Sequence, residues 1–262
     1  MTKNKILGLY QELRKKYGHP KGQWVLWCKR PKTNKEQEEV IIGAILTQRA
    51  NWRNAELAMA NLKKAKIISL NGIYKLGLKN KNKLALLIKP SGFYRQKAGY
   101  LSGLAKFILE NYGDFKKLEK KELAKLREEL LNLKGIGPET ADSILLYALG
   151  KPVFVIDEYT RRFAKKNRIT ANRDYYFLQK LFEKNLKKDF RLYQDFHALI
   201  VIDGKEGATF ATALENPHPS PFYERVRGNF APAAKFSFPS ARRSAKGGDQ
   251  AGAPAGYSSR QL

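Results

Sequence analysis

The chain has 262 residues, 43% of them hydrophobic, and its 50 Lys and Arg against 24 Asp and Glu give a formal net charge of +26. That length allows one large domain or two small ones with a sizeable core, and the charge points to a polyanionic partner, nucleic acid ahead of an anionic membrane. No apolar run approaches the roughly 20 residues a membrane span needs, and the lone Cys28 rules out an intramolecular disulfide or a cysteine-ligated zinc or iron–sulfur site within one chain.

In chain order, the first apolar patch, residues 6–10, is too short for a signal peptide. A cytoplasmic, nucleoid-associated address is therefore expected. Residues 40–46 (Val-Ile-Ile-Gly-Ala-Ile-Leu) form a continuous apolar run that a buried helix or a buried strand would both satisfy. Residues 51–62 pair Leu57 and Ala58 with Asn61 and Leu62 at helical spacing. Residues 98–109 place Leu101, Leu104, Ala105 and Ile108 on one face. Residues 120–133 repeat the pattern with Leu123, Leu126, Leu130 and Leu133, and 175–186 and 193–202 predict two more helices. Alternating strand patterns with hairpin turns are nearly absent, so the expected class is all-α.

Composition changes abruptly after Lys205. The remaining stretch, 206–262, lacks isoleucine, holds six of the 11 prolines and is rich in Ala, Gly and Ser. It cannot bury enough apolar surface to offset its ordering entropy, so it is expected to be disordered, or a frameshifted or fused end. Its seven basic and four acidic residues leave nearly all the positive charge on 1–205, the expected folded domain.

Between two helical patterns lies Leu133-Lys134-Gly135-Ile136-Gly137-Pro138-Glu139-Thr140-Ala141. Two glycines about one apolar residue allow a tight turn and close approach of another molecule. Pro138 suits the first turn of the next helix, which runs through Ile144, Leu145 and Ala148 and stops at Gly150. The hairpin's N–H groups and the helix N-terminus would make a phosphate site, with Lys134, Gly135, Ile136, Gly137 and Thr140 as the DNA-contacting residues. An apolar segment then leads from Val153 to Asp157. Taken alone, Asp157 also reads as the N-cap of a helix over 158–168.

This order of glycine hairpin, helix, apolar linker and aspartate resembles the helix-hairpin-helix DNA glycosylases of the endonuclease III superfamily. Gly43-Ala44-Ile45-Leu46-Thr47-Gln48 resembles that family's early helix and the glutamine that wedges into the duplex. The resemblance covers about 24–205. It implies a two-lobed helical fold with a middle lobe near 47–156 and the active site in the cleft between lobes. Double-stranded DNA carrying a damaged base is the implied partner, and a monomer is expected. Asp157 matches the family's catalytic aspartate. Cleaving an N-glycosidic bond builds positive charge on the sugar, which a nearby carboxylate stabilises, or it activates water.

Two departures narrow the branch. Bifunctional members carry a lysine where this chain has Glu139, so no Schiff base is expected there and β-elimination should be absent. The single cysteine removes endonuclease III's iron–sulfur cluster. With Pro90-Ser91-Gly92-Phe93-Tyr94 and Gln96-Lys97-Ala98, these features look most like the 3-methyladenine glycosylase branch, whose members use no cluster. There the aromatics before the early helix and just after its glutamine line the pocket; Trp24, Trp27 and Trp52 match those places. A flipped-out cationic purine could sit between indole faces, although ordinary core packing explains Trp27 equally well. Gln48 and Glu139 complete the expected substrate contacts. His197 reads as packed within its helix rather than catalytic, and Lys205 lies within possible reach of the pocket. Carbonyls of Leu131, Leu133 and Ile136 hint at a monovalent cation, and no other metal or cofactor is expected. Two other readings stay open: a glycosylase or lyase for mismatched or oxidised pyrimidines, and a non-catalytic hairpin protein that only clamps DNA.

Overall fold

The computed structural model describes residues 2–113 and 115–215, and these contain helices and no strand. In chain order they are α1 (Thr2–Tyr17), α2 (Trp24–Trp27), α3 (Asn34–Leu46), α4 (Trp52–Lys64), α5 (Leu70–Lys79), α6 (Lys81–Leu87), α7 (Tyr94–Asn111), α8 (Phe115–Lys120), α9 (Leu123–Leu131), α10 (Pro138–Ser143), α11 (Glu158–Lys166), α12 (Tyr175–Asn185) and α13 (Phe190–Glu215). A 3-10 turn, Lys89–Ser91, precedes α7, and a π turn, Ile144–Ala148, continues α10.

The ambiguous run 40–46 is a helix. Its start is a capping box in which Glu36 donates its N–H to the Thr33 hydroxyl and accepts the Thr33 N–H at 2.8 Å. Every residue from Val40 to Leu46 is buried, so α3 is a core helix with apolar residues all round, which is why it shows no amphipathic period. Elsewhere Asn51, Ser69, Asn80 and Asp174 cap α4, α5, α6 and α12 through side-chain oxygens. Helices α5 and α6 have no counterpart in the sequence reading. Gly72 and Gly77 weaken the helical pattern of α5, and tertiary packing against α7 overrides that weakness.

Helices α4 to α7 pack on one another as one lobe, with α9 against α10 beside them; α1, α11, α12 and α13 pack as the other. The seam between them is α3 and the π turn: α3 touches α4, α7 and α10, and the π turn touches both α3 and α13. This is the expected two-lobed all-α architecture. The last helix continues past the Lys205 boundary to Glu215. Most of the stretch expected to be disordered, 216–262, lies outside the described residues.

The two hairpin glycines have different duties. Gly135 has φ +84°, and a Cβ there would lie 2.4 Å from the Tyr100 ring, so both backbone and packing demand glycine. Gly137 has φ −92° and open space where its Cβ would be. The fold itself does not require glycine there, and the bare backbone is left facing outward.

Candidate active site

A cavity of about 280 Å³ opens where the lobes meet, lined by Trp24, Trp27, Trp52, Glu139, Asp157, His197 and Lys205 among others. Five expected site residues thus come together from α2, α4, α10 and the N-cap of α11. The others do not line the cavity. Ile136 is buried, while Lys134, Gly135 and Gly137 are exposed on the hairpin. Gln48 donates to the Gly135 carbonyl at 2.9 Å and to the Thr140 hydroxyl at 3.0 Å. In this state it ties the end of α3 to the hairpin.

The aromatic wall follows from one small residue. Gly43 on α3 leaves room for Trp27, whose ring would be 3.1 Å from any Cβ there. Trp27 then meets Trp24 edge-on at 6.0 Å, Trp52 edge-on at 6.1 Å and Tyr147 at 5.2 Å. Trp24 and Trp27 are buried, so they are both core and cavity wall; Trp52 is half-exposed.

Asp157 serves two roles at once. As N-cap of α11, its Oδ1 accepts the Thr160 N–H at 2.7 Å and the Thr160 hydroxyl at 2.9 Å. Its Oδ2 lies 3.5 Å from His197 Nε2. Burial pushes the Asp157 carboxyl upward, but a protonated His197 ring and the two Thr160 donors outweigh it and pull the group below its ordinary value. A carboxylate kept charged in an aromatic cavity is suited to stabilising a developing cation.

Glu139 sits at the rim. Burial by its neighbours and the charge of Asp157 push its carboxyl up; its exposed position lets solvent screen part of that push. Lys205 reaches in from α13 and donates to Gln23 Oε1 at 2.8 Å. Burial lowers its pKa while Asp157 opposes the shift.

Two buried side chains hold the frame. Asp142 on α10 accepts two bonds from Arg127, at 2.6 and 2.9 Å, one from the Tyr175 hydroxyl at 2.7 Å and one from Gln179 at 2.7 Å. Gln179 also donates to the Phe154 carbonyl, and Glu183 accepts the Phe154 N–H. The hairpin helices and the segment leading into Asp157 are therefore joined through one fully satisfied buried carboxylate. On the other side, buried Lys97 donates to the carbonyls of Leu46 and Ser91, at 2.8 and 2.7 Å, and so caps the end of α3 just before Thr47 and Gln48.

His197 is the residue that the sequence reading placed outside the site. It is buried as expected, yet its ring faces Asp157 and lines the cavity. A signal existed. His197, Val201 and Lys205 are spaced by four on α13 and all three line the cavity, a stripe that lies on one helix face.

Residues 42–188 match the HhH-GPD superfamily of base excision DNA repair proteins. The chain belongs to this superfamily. It is a DNA glycosylase, an enzyme of base excision repair that acts on DNA and hydrolyses N-glycosyl bonds. The glycosylase is 42% identical over 207 residues, 77% of its length and 89% of the other's, to a Methanocaldococcus jannaschii protein named "Putative DNA repair glycosylase MJ1434". It is 30% identical over 138 residues to endonuclease III of Thermotoga maritima, covering 52% of this chain and 60% of that one. Among solved structures it is similar to the H. pylori 3-methyladenine DNA glycosylase bound to 1,N6-ethenoadenine, with TM-score 0.64, 32% identity, and coverage of 79% of this chain and 98% of that one. No helix among its described residues is long and apolar enough to cross a membrane.

Proposed function

We propose that this glycosylase removes alkylated purines such as 3-methyladenine by hydrolysis and leaves an intact abasic site. The observation that carries this reading is the cavity itself: three indoles line the same space as a carboxylate whose Oδ1 accepts both Thr160 donors. An alkylated purine is a flat cation and already a good leaving group. Aromatic faces and a nearby anion favour it over a neutral base, and it needs no strong general acid. The similarity to the H. pylori enzyme, which extends over nearly all of that chain, supports the same reading. In this mechanism Asp157 offsets the positive charge that develops on the sugar and accepts a proton from water as the glycosidic bond breaks.

The test is base release from methylated duplex DNA and from duplexes containing uracil or an oxidised pyrimidine. Release of 3-methyladenine without uracil is the expected result. Preferential release of the pyrimidine would transfer the enzyme to that substrate class.

A lyase reading rests on Lys205, an amine whose pKa is lowered by burial and which lines the same cavity. Borohydride treatment during turnover separates the two. No trapped protein–DNA adduct is expected, because Glu139 occupies the position where bifunctional relatives carry their lysine.

A further inference from the structure

Within the hydrolytic reading above, on which this step rests, we propose that His197 is a positioning residue. It holds the attacking water against Asp157, and Tyr147 fixes the tautomer that lets it do so.

The argument is one of donors and acceptors. The Tyr147 hydroxyl has a single proton, and it lies 3.2 Å from the Gln194 carbonyl, which can only accept. With that proton directed at Gln194, the Tyr147 oxygen accepts from His197 Nδ1 at 2.7 Å. The neutral ring then carries its proton on Nδ1, and Nε2 is an acceptor. That nitrogen is buried and has no hydrogen-bond partner among the described residues. Such an atom calls for a donor, because a buried acceptor left unpaired loses its bonds to water and gains none in return. Across 3.5 Å stands Asp157 Oδ2, also an acceptor, while Oδ1 is already filled by both Thr160 donors.

Two acceptors facing each other repel unless a donor serves both. A water lying beside them on the cavity side gives one proton to each and turns a lone pair outward. As its oxygen bonds to the sugar carbon, the proton held by Asp157 transfers to Oδ2. The carbon–nitrogen bond breaks and its electron pair leaves with the base, neutralising the base's positive charge. His197 keeps its own proton throughout.

A protonated ring would instead pair directly with Asp157, the contact that helps hold that carboxyl down, and would fill the water's place. The other titratable groups around the ring are Glu139 from α10, Tyr147 from the π turn and Lys205 farther along α13. The form that holds the water is therefore the ring with Nε2 bare.

The experiment combines one spectrum with two variants. In wild-type protein labelled with nitrogen-15 histidine, the neutral His197 ring should show Nδ1 protonated and Nε2 bare. The chain has three histidines, which makes assignment direct. His197→Asn keeps an amide able to reach Tyr147 but deletes the group facing Asp157. Single-turnover excision, measured well below the variant's melting temperature, should fall about tenfold to a hundredfold, with DNA affinity unchanged. His197→Gln places an amide oxygen near the Nε2 position, where it can accept from the water, and should recover most of that loss. A proton on Nε2 in the spectrum, a wild-type rate in His197→Asn, or no recovery in His197→Gln would each overturn the proposal. All rates are measured on whichever base the wild-type enzyme releases. An error in substrate class therefore leaves this test intact, and an inactive Asp157 variant does not decide it.

Discussion

The hairpin and the cavity are built in opposite ways. The hairpin is local: Lys134, Gly135, Ile136 and Gly137 follow one another, Gly135 shapes the turn, and Gln48 closes it from the end of α3. The cavity draws on positions 24, 27, 52, 139, 157, 197 and 205, and its walls are also the core. The hairpin can therefore be altered with little effect on chemistry, whereas most changes to the cavity also disturb folding. A variant that separates binding from excision must respect that difference.

The sharpest break should come at Asp157. Asp157→Asn keeps the shape and an oxygen for Thr160 but removes the charge, and excision should fall at least about a hundredfold. Gel-shift affinity for DNA should stay equal or rise, since a carboxylate no longer faces phosphates. Full activity in this variant would leave the cavity without its reactive group.

The hairpin glycines test the other region. Gly135→Ala meets both a positive φ and the Tyr100 ring, and should cost about 2 kcal/mol or more, a drop of roughly 4–8 °C in melting temperature. Gly137→Ala should leave stability within about 0.5 kcal/mol yet weaken DNA binding, because its added methyl group stands where backbone would approach the duplex. Equal thermal losses in the two variants would mean that the outward-facing glycine is structural after all.

Among the tryptophans, Trp52 is the clean probe because it is half-exposed. Trp52→Ala should reduce excision by about 1–2 kcal/mol, the value of one stacking face, and leave DNA binding intact. Trp24→Ala removes a buried core side chain, so Trp24→Phe is the useful comparison. Normal excision by folded Trp52→Ala would remove the aromatic wall from the mechanism.

The smallest effect concerns Lys97, which burial pushes down to about 8. Its folded-state value lies below the unfolded one, so the unfolded chain binds the proton more tightly. The resulting penalty is full below pH 8 and is relieved as pH rises from about 8 to 10.5. Relative to Lys97→Met, the wild-type protein should gain on the order of 1 kcal/mol across that window, as read by denaturant unfolding at each pH. A flat difference would mean that the two carbonyls compensate fully for burial.

Much of this molecule could be read directly. The helix class, the hairpin, the aspartate after its apolar linker and the basic body all depend on neighbours in sequence or on composition, and the chain states them by itself. The helical nature of 40–46 was also legible in the Thr33 and Glu36 capping pair, although the apolar run obscured it. What only the tertiary structure decided is the assembly of the cavity. His197 lies far along the chain from Asp157, and nothing local to either marks the other; the packing of α13 against α11 and the π turn brings them within 3.5 Å. Burial likewise decided which groups keep their charge. Against its burial, the Asp157 carboxyl is pulled down by a protonated His197 and by the Thr160 donors, and Lys97 is pushed down by burial although two carbonyls accept from it. A side chain's charge in an interior depends on its three-dimensional neighbours, and sequence order does not record them.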